Sequence, residues 1–180
     1  MQEEKKTKPV GRTITYFIII AIVALIQNTD GLTIEIAGAR CFLVIPTCII
    51  LAMGEDEIFG AVLGLWGGLI WDMVSPAHYG FNAVFLAVAC FFSAMMTAYI
   101  LRNTFLTNAL FSVLSIFLYC VLYWLFFIII KGVDGAELTI ATFYVPCGVY
   151  TTVTMPIIWL CLRPVKRRFS TEIHLEKIET

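Results

Sequence analysis

Phe81-Asn-Ala-Val-Phe-Leu-Ala-Val-Ala-Cys90-Phe-Phe-Ser-Ala-Met-Met-Thr-Ala-Tyr-Ile-Leu101 lies in a run that carries no charged side chain between Asp72 and Arg102. Two more such runs follow, from Arg102 to Lys131 and from Glu137 to Arg163. Each exceeds the ~20 residues that an α-helix needs to cross the hydrocarbon core of a bilayer. Lipid offers no partner to a bare backbone amide, so a spanning segment is either a helix or a strand of a closed barrel. These runs are continuously apolar and lack the alternation of a barrel strand. The chain is therefore predicted to be an all-α membrane protein.

Working outward from that run, 180 residues with a mean hydropathy of +0.90 leave room for a bundle of about six spans and little else. The spans are expected at 13–29, 37–53, 58–74, 81–101, 107–130 and 138–162. Flanking them are an N-terminal tail, 1–12, and a C-terminal tail, 164–180, which leaves 13–163 as the membrane domain. Lys5, Lys6 and Lys8 ahead of the run from Ile14 to Ile26 resemble a secretory signal, but Gln27-Asn28-Thr29-Asp30 lacks a small-x-small cleavage site. This segment reads as an uncleaved first span. The loop 30–36 alternates polar and apolar residues and suits a short strand or an interfacial segment. Pro46 predicts a kink in the second span, and Pro146, Gly148 and Pro156 interrupt the sixth. All six cysteines lie in apolar runs without a CxxC pair, so neither disulfides nor a metal site is expected.

The net charge of -1 hides an asymmetry. Lys5, Lys6, Lys8, Arg12, Arg102, Arg163, Lys166, Arg167 and Arg168 flank one side of the predicted bundle, against Arg40 and Lys131 on the other. The positive-inside rule then places both termini in the cytoplasm. The cluster Arg163 to Arg168 would also attract anionic lipid headgroups, at about 1 kcal/mol per charge. The tail beyond Ser170 is polar, with Ile173, Leu175 and Ile178 interspersed, and is expected to be disordered or to meet a cytoplasmic protein.

The sharpest local pattern is Gly60-Ala-Val-Leu-Gly64-Leu-Trp-Gly-Gly68-Leu-Ile-Trp-Asp72. Steps of four put Gly60, Gly64, Gly68 and Asp72 on one helix face. Small residues so spaced let another backbone come close, whether a helix of the same bundle or one from a different protein. Ala83, Ala87, Ala94 and Ala98 form a matching stripe on the fourth span. Asp72 is the acidic residue of an otherwise apolar run, which makes it a functional candidate. It can equally serve the structure, by capping the fourth helix or bonding the turn Ser75 to Gly80. Tyr119, Tyr123, Trp124, Tyr144 and Tyr150 can line a pocket for a lipid or apolar ligand, or simply pack and anchor. His78 reads as a solvated loop residue. No GxSxG, HExxH or P-loop is present, and His78 and His174 fall on opposite sides, so no enzyme, cofactor or nucleic-acid partner is expected.

The stretch from Gly64 through Asp72 to Pro76, followed by Gly80-Phe-Asn82-Ala83, resembles the signature of the MreD family of bacterial rod shape-determining membrane proteins. There a glycine-rich third span ends in Gly-Leu, two apolar residues and Asp, turns through Ser and Pro, and resumes with Gly, apolar, polar, Ala. Gly64, Gly68, Asp72, Pro76, Gly80 and Asn82 are this chain's versions of it. Trp71 is bulkier than expected at its position. The resemblance implies a six-helix bundle similar to the substrate-binding subunits of energy-coupling-factor transporters, in the bacterial cytoplasmic membrane. It also implies a non-catalytic scaffold that binds MreC within the elongation machinery, beside MreB, a glycosyltransferase and a transpeptidase. The alternatives are a vitamin-type solute-binding subunit with its ligand among spans four to six, and an enzyme of lipid-linked intermediates that uses Asp72.

Overall fold

A computed structural model of the protein describes residues 10–29, 41–74, 80–129 and 145–176, with side chains to Arg168 in the last helix. Among them the regular structure is helical throughout: α1 Val10–Asn28, α2 Val44–Ala52, α3 Glu57–Val74, α4 Phe81–Tyr99, α5 Phe105–Trp124 and α6 Val145–Glu176. A π-helical turn, Leu125–Ile129, continues α5. The loop 30–36, Arg40, the turn 75–79 with Pro76 and His78, Lys131 and Tyr144 lie outside the described residues.

Among the described residues five helices are long and apolar enough to cross a bilayer: α1, α3, α4, α5 continued to Phe127, and α6 as far as Arg168. Unlike a water-soluble bundle, they turn many large apolar side chains outward while some polar ones are buried. On α1, Ile14, Ile18 and Ile22 point outward while Arg12, Tyr16 and Gln27 are buried. In water each such exposed side chain would forgo about 1.5–3 kcal/mol of burial. In hydrocarbon it forgoes nothing, so polar contacts and close packing decide what turns inward. The protein is a multi-pass helical membrane protein.

The second apolar run behaves differently from a full span. Its helix, α2, has nine residues, all of them buried, and touches every other helix. The expected kink at Pro46 has no cause here. Pro46 is the third helical residue, where the missing N–H had no intrahelical partner to lose. At the far end, Gly54 turns the chain with φ +86, a left-handed conformation suited to a residue without a Cβ.

Successive helices run in opposite directions. The Val44 N–H donates to Gln27 Oε1 (2.9 Å) at one end, and Arg12 pairs with Glu55 (3.0 Å) at the other. Along α1 those points are about 22 Å apart at 1.5 Å per residue. The short helix and the turn that ends it thus cover most of the bundle's height, with the helix enclosed by protein.

Two boundaries move. Helix α1 begins at Val10, which places Arg12 inside a helix rather than in a free tail. Helix α6 passes through Pro156 and Pro164 to Glu176, so the segment read as a tail from 164 begins as a continuation of the last helix, whose apolar window ends at Arg168. Threonines supply local support to this helix: Thr151 and Thr152 hydroxyls donate to the Cys147 and Gly148 carbonyls. Lys166 then donates to the carbonyls of Ile50 and Met53 and fastens α6 to the end of α2.

Candidate functional site

Gly60, Gly64 and Gly68 are buried and face α4. A Cβ built on Gly68 would stand 2.5 Å from the Asn82 carbonyl oxygen and the Ala83 nitrogen, closer than real Cβ atoms come to anything. One on Gly64 would fall on the Leu86 carbonyl, and one on Gly60 would lie 2.9 Å from Ala94 Cβ. Ala83 and Ala94 are buried in the same seam, whereas Ala98 is exposed. The small-residue face is therefore occupied by the protein's own fourth helix, with no room for a second polypeptide. Gly67 does the same on the other side of α3, where a Cβ would meet Cys48 Sγ at 2.5 Å.

At the end of this seam sits Asp72. Helix α4 has no capping side chain of its own, because its N-cap is Gly80 with φ +83. The first N–H groups of any helix lack intrahelical acceptors and form the positive end of its dipole. Asp72 fills that need from α3: Oδ1 accepts from the Asn82 N–H (3.3 Å) and Oδ2 from the Ala83 N–H (3.0 Å). Both carboxylate oxygens are spent on holding α4 against α3.

The cap extends through Asn82 into α5. Asn82 is buried, and its Oδ1 accepts from the Tyr119 hydroxyl (2.9 Å). The Tyr119 ring stacks on Trp71 with centroids 5.3 Å apart and 26° between planes. Phe42 and Phe85 close on Tyr119 edge-on, each at 5.3 Å. Trp71, bulkier than the motif suggests, is thus the flat floor of an aromatic cluster joining α3, α4, α5 and the approach to α2. The structure brings Gly60, Gly64, Gly68, Asp72, Gly80 and Asn82 together along one seam, while Pro76 lies outside the described residues. Tyr119 is the member that sequence reasoning did not attach to the motif, since nothing local links positions 82 and 119. A buried Asn at a helix start, which needs a donor for its oxygen, was the one available signal.

Beside the seam, α4 and α5 diverge. Between them runs a groove of about 450 Å³, lined by Val84, Val88, Phe92, Leu114 and Leu118, with Ser93 and Ser115 adding its few polar atoms. It opens outward on the face that turns large apolar side chains to the surroundings. Neither this groove nor the polar cavity described below is lined by Tyr119, Tyr123, Trp124 or Tyr150. Among the described residues no three His, Cys, Asp or Glu side chains gather as a metal ion needs. Comparison with protein-family models, curated proteins and solved structures finds no match to the chain.

Proposed function

We propose that the chain is a non-catalytic membrane scaffold of the MreD type. In this reading it has six spans, both termini in the cytoplasm of a bacterium, and MreC as its direct partner in the cell-elongation complex. MreB, the glycosyltransferase and the transpeptidase are then reached indirectly, and peptidoglycan synthesis along the cell flank depends on the assembly. The observation that supports the reading is the open groove between α4 and α5, an apolar furrow on the outward face of the bundle. Because the glycine face is filled from within, the partner helix is assigned to the groove instead. Asp72 supports a non-catalytic role, since both its oxygens accept backbone N–H groups. The groove's nearly all-hydrocarbon lining suits a helix and gives a vitamin's polar groups little to bond beyond Ser93 and Ser115.

The test is co-purification. With Val88→Trp and Leu118→Trp filling the groove, MreC is expected to be lost from the purified protein while membrane yield stays unchanged. Retention of MreC on the filled groove overturns the assignment. Depletion in a rod-shaped host is expected to give round cells, and unaltered rods would count against the scaffold.

A further inference from the structure

At the end of the bundle opposite Asp72, a cavity of about 600 Å³ opens between the start of α1, the α2–α3 turn, the α4–α5 connection and the last turns of α6. We propose that this cavity binds an anionic phosphate group, presented by a lipid headgroup or by a free phosphate compound. The inference stands independently of the scaffold reading and of the groove.

Charge comes first. Arg12, Arg163, Lys166 and Arg167 line the cavity, and Glu55 is the single acidic side chain facing them among the described residues. Arg12 is 7% exposed and reaches Glu55 through one terminal nitrogen at 3.0 Å. That pair cancels one charge, and Arg163 and Lys166 add positive charge to the wall beyond it. Lys166 is held in place by two backbone carbonyls, so its charge is fixed at the cavity rather than swinging free.

Unmet hydrogen bonding is the second, independent observation. Arg12 Nε is buried without a partner. Asn108 spends its amide N–H groups on Asn103 Oδ1 and the Thr104 carbonyl, both at 2.7 Å, and its own Oδ1 is buried without a partner. Buried polar groups are normally satisfied, and Arg12, which lines the cavity, carries a guanidinium N–H that no protein atom accepts, the chemistry a phosphate oxygen would meet once the side chain adjusts to a ligand. The open Asn108 oxygen matches a hydroxyl of the same ligand. A glycerol or sugar headgroup carries both.

The remaining wall is apolar and aromatic. Phe105 and Trp159 meet edge to face at 4.9 Å, and the Arg163 guanidinium lies 5.0 Å from the Trp159 ring centre. Such a wall beside a cationic floor fits an amphiphile at the membrane surface, where basic side chains already favour anionic lipid.

The experiment uses the full chain in neutral detergent, with lipid retention read by native mass spectrometry and protection by thermal shift. The probes are phosphatidylglycerol, phosphatidylcholine and inorganic phosphate. One retained phosphatidylglycerol with a saturable shift is expected, and no shift with phosphatidylcholine, which carries the same phosphodiester without net charge. In Arg163→Gln with Arg167→Gln, two exposed positions, apparent affinity should fall about thirtyfold, the worth of two charges at an anionic surface. The paired change Arg12→Gln with Glu55→Gln removes both buried charges at once and should abolish retention. If that variant does not fold, the exposed pair decides alone. Protection by inorganic phosphate without phosphatidylglycerol assigns the site to a free phosphate compound and supports the proposal. Equal protection by phosphatidylcholine, affinity unchanged in the Arg163/Arg167 variant, or no protection by either anion overturns it.

Discussion

Helix α4 presents two faces that sequence hydropathy does not distinguish, and the structure treats them in opposite ways. Toward α3 it offers Ala83, Ala87 and Ala94 against glycines, and the backbones meet with no space for a methyl group. Toward α5 it offers Val84, Val88 and Phe92 against Leu114 and Leu118, and the helices part into a groove. Lipid is as apolar as leucine, so burying hydrocarbon gives neither face an advantage. What differs is side-chain volume. Dispersion between backbones falls steeply with a gap of even ~1 Å, so only the small-residue face gains enough to close.

The largest effect should therefore come from volume added inside the seam. Gly68→Leu must displace the Ala83 and Asn82 backbone, beyond the ~1–3 kcal/mol of ordinary overpacking, and should lower the melting temperature in detergent by more than any other change considered. Gly60→Ala should cost less, because its nearest neighbour is the Ala94 methyl at 2.9 Å and the nearest main-chain atom, the Cys90 carbonyl oxygen, stands at 3.2 Å. A Gly68→Leu protein that melts like the parent breaks the comparison at its root.

Next in size is the cap that fixes the seam's register. Asp72→Ala strands the N–H groups of Asn82 and Ala83 and should cost about 2 kcal/mol, measured by equilibrium unfolding. Asp72→Asn keeps one acceptor oxygen and should cost roughly half as much. If the asparagine variant were as damaging as the alanine one, charge at the helix dipole rather than hydrogen bonding would be the term that matters.

Part of this was legible beforehand. Steps of four from Gly60 to Asp72 are a local signal, and they marked both the seam and its cap, because period and capping depend on neighbours in sequence. The helix that fills the seam was marked only by its own stripe, Ala83, Ala87 and Ala94 on the fourth span, since nothing in α3 itself says which backbone will approach. The length of α2 was illegible for a related reason: an apolar run facing lipid reads the same as one enclosed by protein. Arg12 reads as a tail charge until the fold sets it beside Glu55. The pairing of Trp71 with Tyr119 likewise depends on packing between distant segments, where no residue pattern points.

Tyr119→Phe sharpens the comparison from the α5 side. It removes one hydrogen bond to Asn82 and leaves the ring stacking on Trp71 in place, so a loss of about 1 kcal/mol in unfolding free energy is expected. A loss several times larger would mean that Asn82, once unpaired, also releases the start of α4 from Asp72, and that the two faces are coupled through this one residue.

The smallest effect belongs to the groove. Val88 stands half-exposed on its wall, so the added carbon of Val88→Leu meets open space rather than backbone. Unfolding of the isolated protein should change by no more than about 0.5 kcal/mol, as for substitutions away from a packed core. Set beside Gly68→Leu, which presses on the opposite face of α4 from α3, this is the decisive contrast, since both changes add only hydrocarbon. A Val88→Leu protein as unstable as Gly68→Leu would mean that α4 and α5 close on each other without a partner, and that a groove wide enough for another helix does not persist in the membrane.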